Sequence, residues 1–270
     1  GRHVKLRGTT VHVEQVDWEA TRGAVGTLVA ERGVTLSAEL PGTVREILFE
    51  SGSSVRRGQA LVRFDTSTEQ AQLASAAADA ALAQLSLERA RTLRESESAT
   101  QADLDAAEAR AKQASAAVAS LEATIAKKTI RAPFDGRISI RQVELGQVVA
   151  PGTPIASLQS VSPIHAEFWL PQQALAELRA GQRARVRTDA FPDAHWDGEI
   201  TTVNTEVDVA TRNVRVRATF PNADGRLRPG MFARVQLVLP ASEPVLVIPA
   251  TAVLHAPYGD SVFVINETKD

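Results

Sequence analysis

With 270 residues the chain can bury more than one core, and its 44% hydrophobic and 23% charged residues are those of an ordinary globular protein. A net charge of −2 leaves no basic footprint for nucleic acid, and the absence of cysteine excludes disulfides and thiolate chemistry. No apolar run approaches the ~18 residues a membrane span needs. Residue 1 is Gly rather than Met, so the native start is expected to lie upstream or to have been processed away, and any export signal or anchor would be in that piece.

Residues 9–36 read as strands. TTVHVEQV and GTLVAERGVTLSAEL alternate in part with period two and carry β-branched residues. AELPGTVREILFESGSSVRRGQALVRFD follows at 38–65, and its pattern returns as RAPFDGRISIRQVELGQVVAPGTPIASL at 131–158. At a constant offset of 94, Gly42, Gly52 and Gly58 align with Gly136, Gly146 and Gly152. Val44, Val55 and Leu61 align with Ile138, Val149 and Ile155. A repeated glycine is a repeated backbone demand, usually a positive φ in a turn, so the two copies read as halves of one compact β unit.

Between the halves the composition changes. From Thr66 to Lys128 there is no proline or aromatic residue, and alanine supplies about a third of the positions. Such a run favours helix. Leu104, Ala111, Val118 and Ile125 recur every seventh residue, with Ala107, Ala114 and Leu121 between them. Leu73, Ala80 and Leu87 do the same earlier, with Leu82 and Leu85 beside them. Thr100 with Asp103 forms an [ST]-x-x-[DE] N-cap signal. The spacing predicts two antiparallel helices, 66–95 and 100–128, each on the order of 45 Å long at ~1.5 Å per residue. Lys127 and Lys128 would complement the negative end of the second helix.

After Ser160 short strands resume, interrupted by a short helix at PQQALAEL. Their spacing and Gly/Pro/Asn/Asp punctuation predict a small β-barrel, followed by further strands in VLVIPATAVL and SVFVIN. The nested order predicts an elongated rod with the helical hairpin at one end, both termini at the other, and joints near Asp65/Thr129, Ser160 and Pro240.

Little in the sequence carries chemistry. His3, His12, His165, His195 and His255 lack metal-ligand spacing, and there is no HExxH, phosphate-binding glycine loop or GxSxG. Without cysteine and with Met231 as the single methionine, soft-metal binding is poorly supported. His195 beside Trp196 reads as packing, and Gly259-Asp260-Ser261 reads as a turn. The expectation is no catalytic residue, no metal site and no cofactor.

The paired halves resemble the halves of a lipoyl or biotinyl carrier domain, with the helical run where a carrier presents its modifiable lysine. FDTSTEQ has no lysine at the end of the first half. A lipoyl-like domain split by a helical hairpin resembles the periplasmic adaptors of bacterial tripartite efflux pumps, the membrane fusion or HlyD-like family, specifically those of RND transporters. TIRAPFDGRI at 129–138, the run 181–235 and VIPATAVL at 247–254 carry the likeness in the same order. The resemblance implies a mixed α+β, multi-domain fold. A membrane-proximal β domain would comprise 1–17 and 240–270 and be incomplete. A β-barrel would comprise 18–33 and 161–239, a lipoyl-like domain 34–65 and 129–160, and an α-helical coiled-coil hairpin 66–128. It also implies a non-enzymatic periplasmic protein, anchored to the inner membrane, joining an RND transporter to a TolC-like outer-membrane channel as a ring of six copies.

The family's hairpin tip carries Arg, Leu four residues on and Ser seven further. Arg89, Leu93 and Thr100 occupy that spacing, with Thr for Ser. Each also has an ordinary role: Arg89 on a solvated face, Leu93 in the helix seam, Thr100 as N-cap. Other readings left open are an ABC-exporter adaptor, a lipoyl- or biotin-type carrier subunit, and a coiled-coil scaffold without transport.

Overall fold

A computed structural model describes residues 11–264, apart from the side chains of residues 16–18 and 240–244. The chain enters with β1 (Glu14–Ala30), then β2 (Gly33–Ser37), β3 (Gly42–Ile47), β4 (Ser54–Val55) and β5 (Ala60–Phe64). Helices α1 (Ser67–Glu95) and α2 (Gln101–Lys127) follow, then β6 (Thr129–Arg131), β7 (Gly136–Ile138), β8 (Val148–Val149) and β9 (Pro154–Gln159). The last part holds β10 (Ile164–Pro171), β11 (Arg183–Thr188), β12 (Phe191–Val207), β13 (Asn213–Phe220), β14 (Phe232–Val247), β15 (Leu254–Ala256) and β16 (Gly259–Ser261). Two units result. Among the described residues, one holds 11–29, His165–Pro221 and 227–264; the other holds Ala30–Ile164 with Asn222–Arg226.

The first unit contains a closed barrel of strand order β1-β10-β13-β12-β11-β14. Its strands alternate as closed sheets require. In β13, Val214, Val216, Ala218 and Phe220 are fully buried, while Arg215 and Arg217 point outward to Glu167 on β10. Two glycines that no repeat flagged are needed here. A Cβ on Gly26 would collide with the Glu167 carbonyl, and one on Gly198 with the Thr219 carbonyl and the Phe220 ring. β1 and β14 pair from Glu14↔Val247 to Thr27↔Phe232, so the ladder passes residues 17 and 240 with only a register shift between Glu19 and Thr21.

The short helix expected at PQQALAEL is present as a 3-10 helix, Gln172–Ala176. Three local expectations change. Gly259-Asp260-Ser261, read as a turn, forms strand β16 instead. The strand expected from residue 9 begins at Glu14, and residues 9 and 10 lie outside those described. In SVFVIN only Ser261 is in a strand, because the partner β15 is three residues long and its register ends at Leu254↔Ser261; Ile265 and Asn266 lie outside the described residues.

The second unit is a two-sheet sandwich carrying the helix pair. Its sheets have the orders β2-β9-β7-β4 and β6-β5-β3-β8. Adding or subtracting the offset of 94 turns β2, β9, β7 and β4 into β6, β5, β3 and β8, so one sheet order becomes the other. The hydrogen bonds follow the same rule. Val44 N–H donates to Gln147 O at 2.9 Å and Ile138 N–H to Ser53 O at 3.0 Å. Gly52 N–H donates to Ile138 O at 3.0 Å and Gly146 N–H to Val44 O at 2.8 Å. Each sheet thus takes two strands from each copy, and neither copy can close a core alone. The core they share includes Val44, Leu61, Phe64, Ile138, Ile155 and Leu158.

The aligned glycines divide by physical reason. Gly52, Gly58, Gly146 and Gly152 have φ between +80° and +84°, left-handed turns that penalise a side chain. Gly42 and Gly136 are tight instead. A Cβ on Gly42 would lie 3.2 Å from the Phe64 Cβ, and one on Gly136 would collide with the Gln159 carbonyl.

In the helix pair Ala83 and Leu87 of α1 are buried, whereas α2 has no fully buried residue. Leu82 and Leu85 are 62% and 57% exposed, outside the seam. At ~100° per residue they lie roughly 140° and 160° around the axis from Leu87. No helix among the described residues is long and apolar enough to cross a membrane.

Candidate docking tip

The base of the pair fixes its direction. α2 ends at Lys127, Lys128 caps it, and β6 starts at Thr129, so no loop intervenes. Phe64 N–H donates to Lys128 O at 2.9 Å, and Asp65 N–H to Thr43 O at 2.9 Å. Lys128 does more than complement the helix dipole. Its Nζ lies 2.7 Å from Glu69 Oε1 of α1, with side chains 11% and 19% exposed, and 3.3 Å from the Asp65 carbonyl. The hydrogen bond from Lys128 holds the Glu69 carboxyl below its ordinary pKa, against the opposing effect of burial. Asp65 Oδ1 accepts the Ser67 N–H at 2.9 Å at the start of α1 and faces Arg45 at 3.5 Å; the hydrogen bonds from Ser67 lower its pKa. The joint expected to hinge near Asp65/Thr129 is therefore tied by backbone bonds and a largely buried ion pair.

At the other end, Ser96 to Thr100 connect the helices. α1 closes with Ser98 N–H donating to Leu93 O at 2.8 Å and Glu97 N–H to Arg94 O at 3.0 Å. This pair of bonds is a Schellman C-cap, and Glu97 occupies its left-handed position with φ 57°, where glycine is usual. The Ser96 hydroxyl adds a bond to Leu93 O at 3.0 Å. α2 opens with a reciprocal capping box. Asp103 N–H donates to Thr100 Oγ1 at 3.2 Å, and Thr100 N–H donates to Asp103 Oδ2 at 3.0 Å. The Thr100 hydroxyl also donates to Asp103 Oδ2 at 2.6 Å. These bonds lower the Asp103 pKa.

Arg89 and Leu93 are four residues apart, hence on one face of α1. Both are exposed, Leu93 by 44%, so Leu93 is not sealed in the helix seam. Arg89 makes no ion pair among the described residues; Arg91 does, reaching Glu108 of α2 at 3.1 Å. Thr100 stands across the turn with its hydroxyl engaged in the cap. Sequence reasoning missed Glu97, because positive φ is usually announced by Gly or Asn, and missed the Lys128–Glu69 pair, which no local spacing signals. Elsewhere His255 pairs with Asp260 at 2.7 Å, His195 stands 3.7 Å from Asp197, and His165 bonds Thr219 at 2.9 Å. Among the described residues no group of three or more His, Cys, Asp or Glu is arranged to hold a metal ion.

Comparison with known proteins agrees with this architecture. Residues 32–159 match the CzcB-like barrel-sandwich hybrid domain, and residues 164–241 the CusB-like beta-barrel domain of the RND group. An uncharacterized protein of Haemophilus influenzae is 31% identical over 96% of this chain and 68% of its own length. The multidrug resistance protein MdtA of Klebsiella pneumoniae is 28% identical over 90% of this chain, which spans 64% of that protein. A chimera of MacA with the MexA alpha-hairpin domain of Pseudomonas aeruginosa shares the fold. Its TM-score is 0.76 at 21% identity, covering 97% of this chain and 95% of the chimera. The two domain matches in order, with a relative above 30% identity along nearly the whole length, show that this chain belongs to the RND-type membrane fusion adaptor family.

Proposed function

We propose that the protein is a non-enzymatic periplasmic adaptor linking an inner-membrane, proton-driven RND transporter to a TolC-like outer-membrane channel. Its cargo class is drugs or other small toxic compounds, in keeping with the multidrug resistance relatives. The membrane-proximal (1–17, 240–270) and barrel (18–33, 161–239) regions face the transporter, and an N-terminal segment anchors the protein to the inner membrane. The split lipoyl-like domain (34–65, 129–160) holds the hairpin (66–128) as a coiled-coil stalk. Six copies form the ring that closes a conduit.

The observation that carries this reading is a helix pair fixed at one end in the matched sandwich and exposing Arg89 and Leu93 on one face at the other. A 29-residue helix is roughly 44 Å long, so the tip stands well beyond the β core.

The test is affinity capture of the full-length, anchored protein from cell envelopes, with mass spectrometry of what accompanies it. An RND transporter together with an outer-membrane channel is expected. An ABC transporter in its place would overturn the energy source, and the absence of both from an intact, abundant preparation would overturn the function. Leu93→Asp should abolish recovery of the channel while the transporter is still recovered. Unchanged channel recovery would remove the tip assignment.

A further inference from the structure

This inference rests on the docking reading above and concerns how the tip is built. The resemblance treats Thr100 as a contact equivalent to Arg89 and Leu93, but the geometry separates it from them. A threonine hydroxyl has one hydrogen to donate and two lone pairs. In Thr100 the hydrogen goes to Asp103 Oδ2 at 2.6 Å, and one lone pair takes the Asp103 N–H at 3.2 Å. The 2.6 Å length is that of a charge-assisted bond to an ionised carboxylate. The same carboxylate oxygen holds the Thr100 N–H, so side chain and backbone of Thr100 are tied to one group. For its hydroxyl to donate to a partner, that bond to Asp103 must break first.

The neighbouring cap gives this lock its purpose. The Schellman bonds close α1 at Glu97 and Ser98, and the capping box opens α2 at Thr100, so Ala99 alone lies between the two locked turns. The carbonyl that Ser98 holds belongs to Leu93 itself. Loss of the cap at Thr100 would release the connection and, through Ser98, the last turn that presents Leu93.

We infer that Thr100 is a positioning residue rather than a contact, that it acts through Asp103, and that Asp103 is therefore part of the docking device although the family motif does not include it. Arg89 and Leu93 keep the direct contact. The chemistry asked of the partner is then an apolar pocket for Leu93 beside an acceptor for the Arg89 guanidinium, with no demand for a group that binds a hydroxyl.

A double-mutant cycle in the full-length, anchored protein tests this. The variants are Thr100→Ala, Asp103→Ala, the pair together, and Thr100→Ser. The readout is channel recovered from envelopes relative to transporter recovered. Each alanine variant should lose roughly fivefold, the factor of an ordinary N-cap, and the double variant no more than either, because both remove one device. Thr100→Ser, which keeps the cap, should retain capture to within about twofold. Amide hydrogen exchange supplies a readout that a contact role would not move. Protection of the amides at residues 103 and 104, which bond to Thr100, should fall in all three alanine variants, while the sandwich amides of Val44 and Ile138 keep theirs, which also shows that the variants fold. If Asp103→Ala leaves capture intact, or if the double variant multiplies the two losses, Thr100 is a contact and the inference fails. Leu93→Asp run in parallel separates the two levels. If it too leaves capture unchanged, the docking reading fails and takes this inference with it; if it abolishes capture while the cycle multiplies, only the positioning role is lost.

Discussion

The two ends of the helix pair are secured by opposite means. At the base the decisive contact joins Glu69 and Lys128, distant in sequence, largely buried, and flanked by backbone bonds into the sandwich. In the turn itself, from Leu93 to Asp103, the bonds that close the two caps span five residues or fewer, and the groups making them are exposed to water. A base built this way loses its register if one charge is removed, because the other is left in a place water barely reaches. A tip built this way can be altered without touching the core. The difference is in keeping with the docking role proposed for the far end, and it can be broken from either side.

The largest effect should come from the base. Lys128→Met keeps the apolar stem but leaves the Glu69 carboxylate without its partner, which should cost roughly 2–3 kcal/mol. Denaturant unfolding of the chain should show that loss. Hydrogen exchange should rise near residues 65–70 and 125–129, while the capping-box amides of Thr100 and Asp103 stay protected. A loss spread evenly from base to tip would mean that the two ends are not independent.

A smaller effect of opposite sign is expected at the tip. Glu97 sits at φ 57°, which costs a side-chain-bearing residue about 1 kcal/mol that glycine does not bear. Glu97→Gly should therefore stabilise the hairpin by about 0.5–1 kcal/mol, part of the gain being offset by the greater freedom of glycine in the unfolded chain. Thermal unfolding would measure it, and a lower midpoint would mean that the Glu97 side chain makes a contact worth more than the strain.

These ends also differ in how legible they were. The capping box could be read directly, because Thr100 and Asp103 are three residues apart and residue type reports the bond. The glycine register at an offset of 94 was equally plain, since turns at φ near +80° and close backbone approach both exclude side chains. What the repeat did not disclose is that each sheet takes strands from both copies, because strand exchange is a tertiary choice between two pairings of identical local pattern. Gly26 and Gly198 stayed hidden for the same reason, each being required by a neighbouring strand's carbonyl. Leu82 and Leu85 were counted beside the seam, yet they face water because Ala83 and Leu87 set the seam and occupy the other side of α1. Lys128 read only as a helix end and Glu69 was not singled out; the antiparallel return brings them together.

Acid offers a reversible way to sharpen the comparison. The folded pKa of Glu69 is lowered, so its contribution is fully present above the unfolded value and is lost as pH falls through the folded one. The same sign holds for Asp103. Between pH 7 and pH 5 both carboxylates stay ionised and neither end should change; below about pH 4 the protonated forms begin to favour unfolding. Glu69→Gln should flatten the acid limb of stability against pH, because the glutamine cannot titrate and still accepts a hydrogen bond from Lys128. Asp103→Asn should flatten it less and only in exchange of the Thr100, Asp103 and Leu104 amides, since water screens that site. The weakest perturbation is Arg91→Ala. Its pair with Glu108 at 3.1 Å joins the helices near the tip, but the two side chains are 53% and 38% exposed. A solvated pair of this kind contributes at most about 0.5 kcal/mol, and that contribution should vanish in high salt. If Arg91→Ala destabilised the hairpin as much as Lys128→Met, burial would not be what distinguishes base from tip, and the contrast between the two ends would have to be drawn from chain connectivity instead.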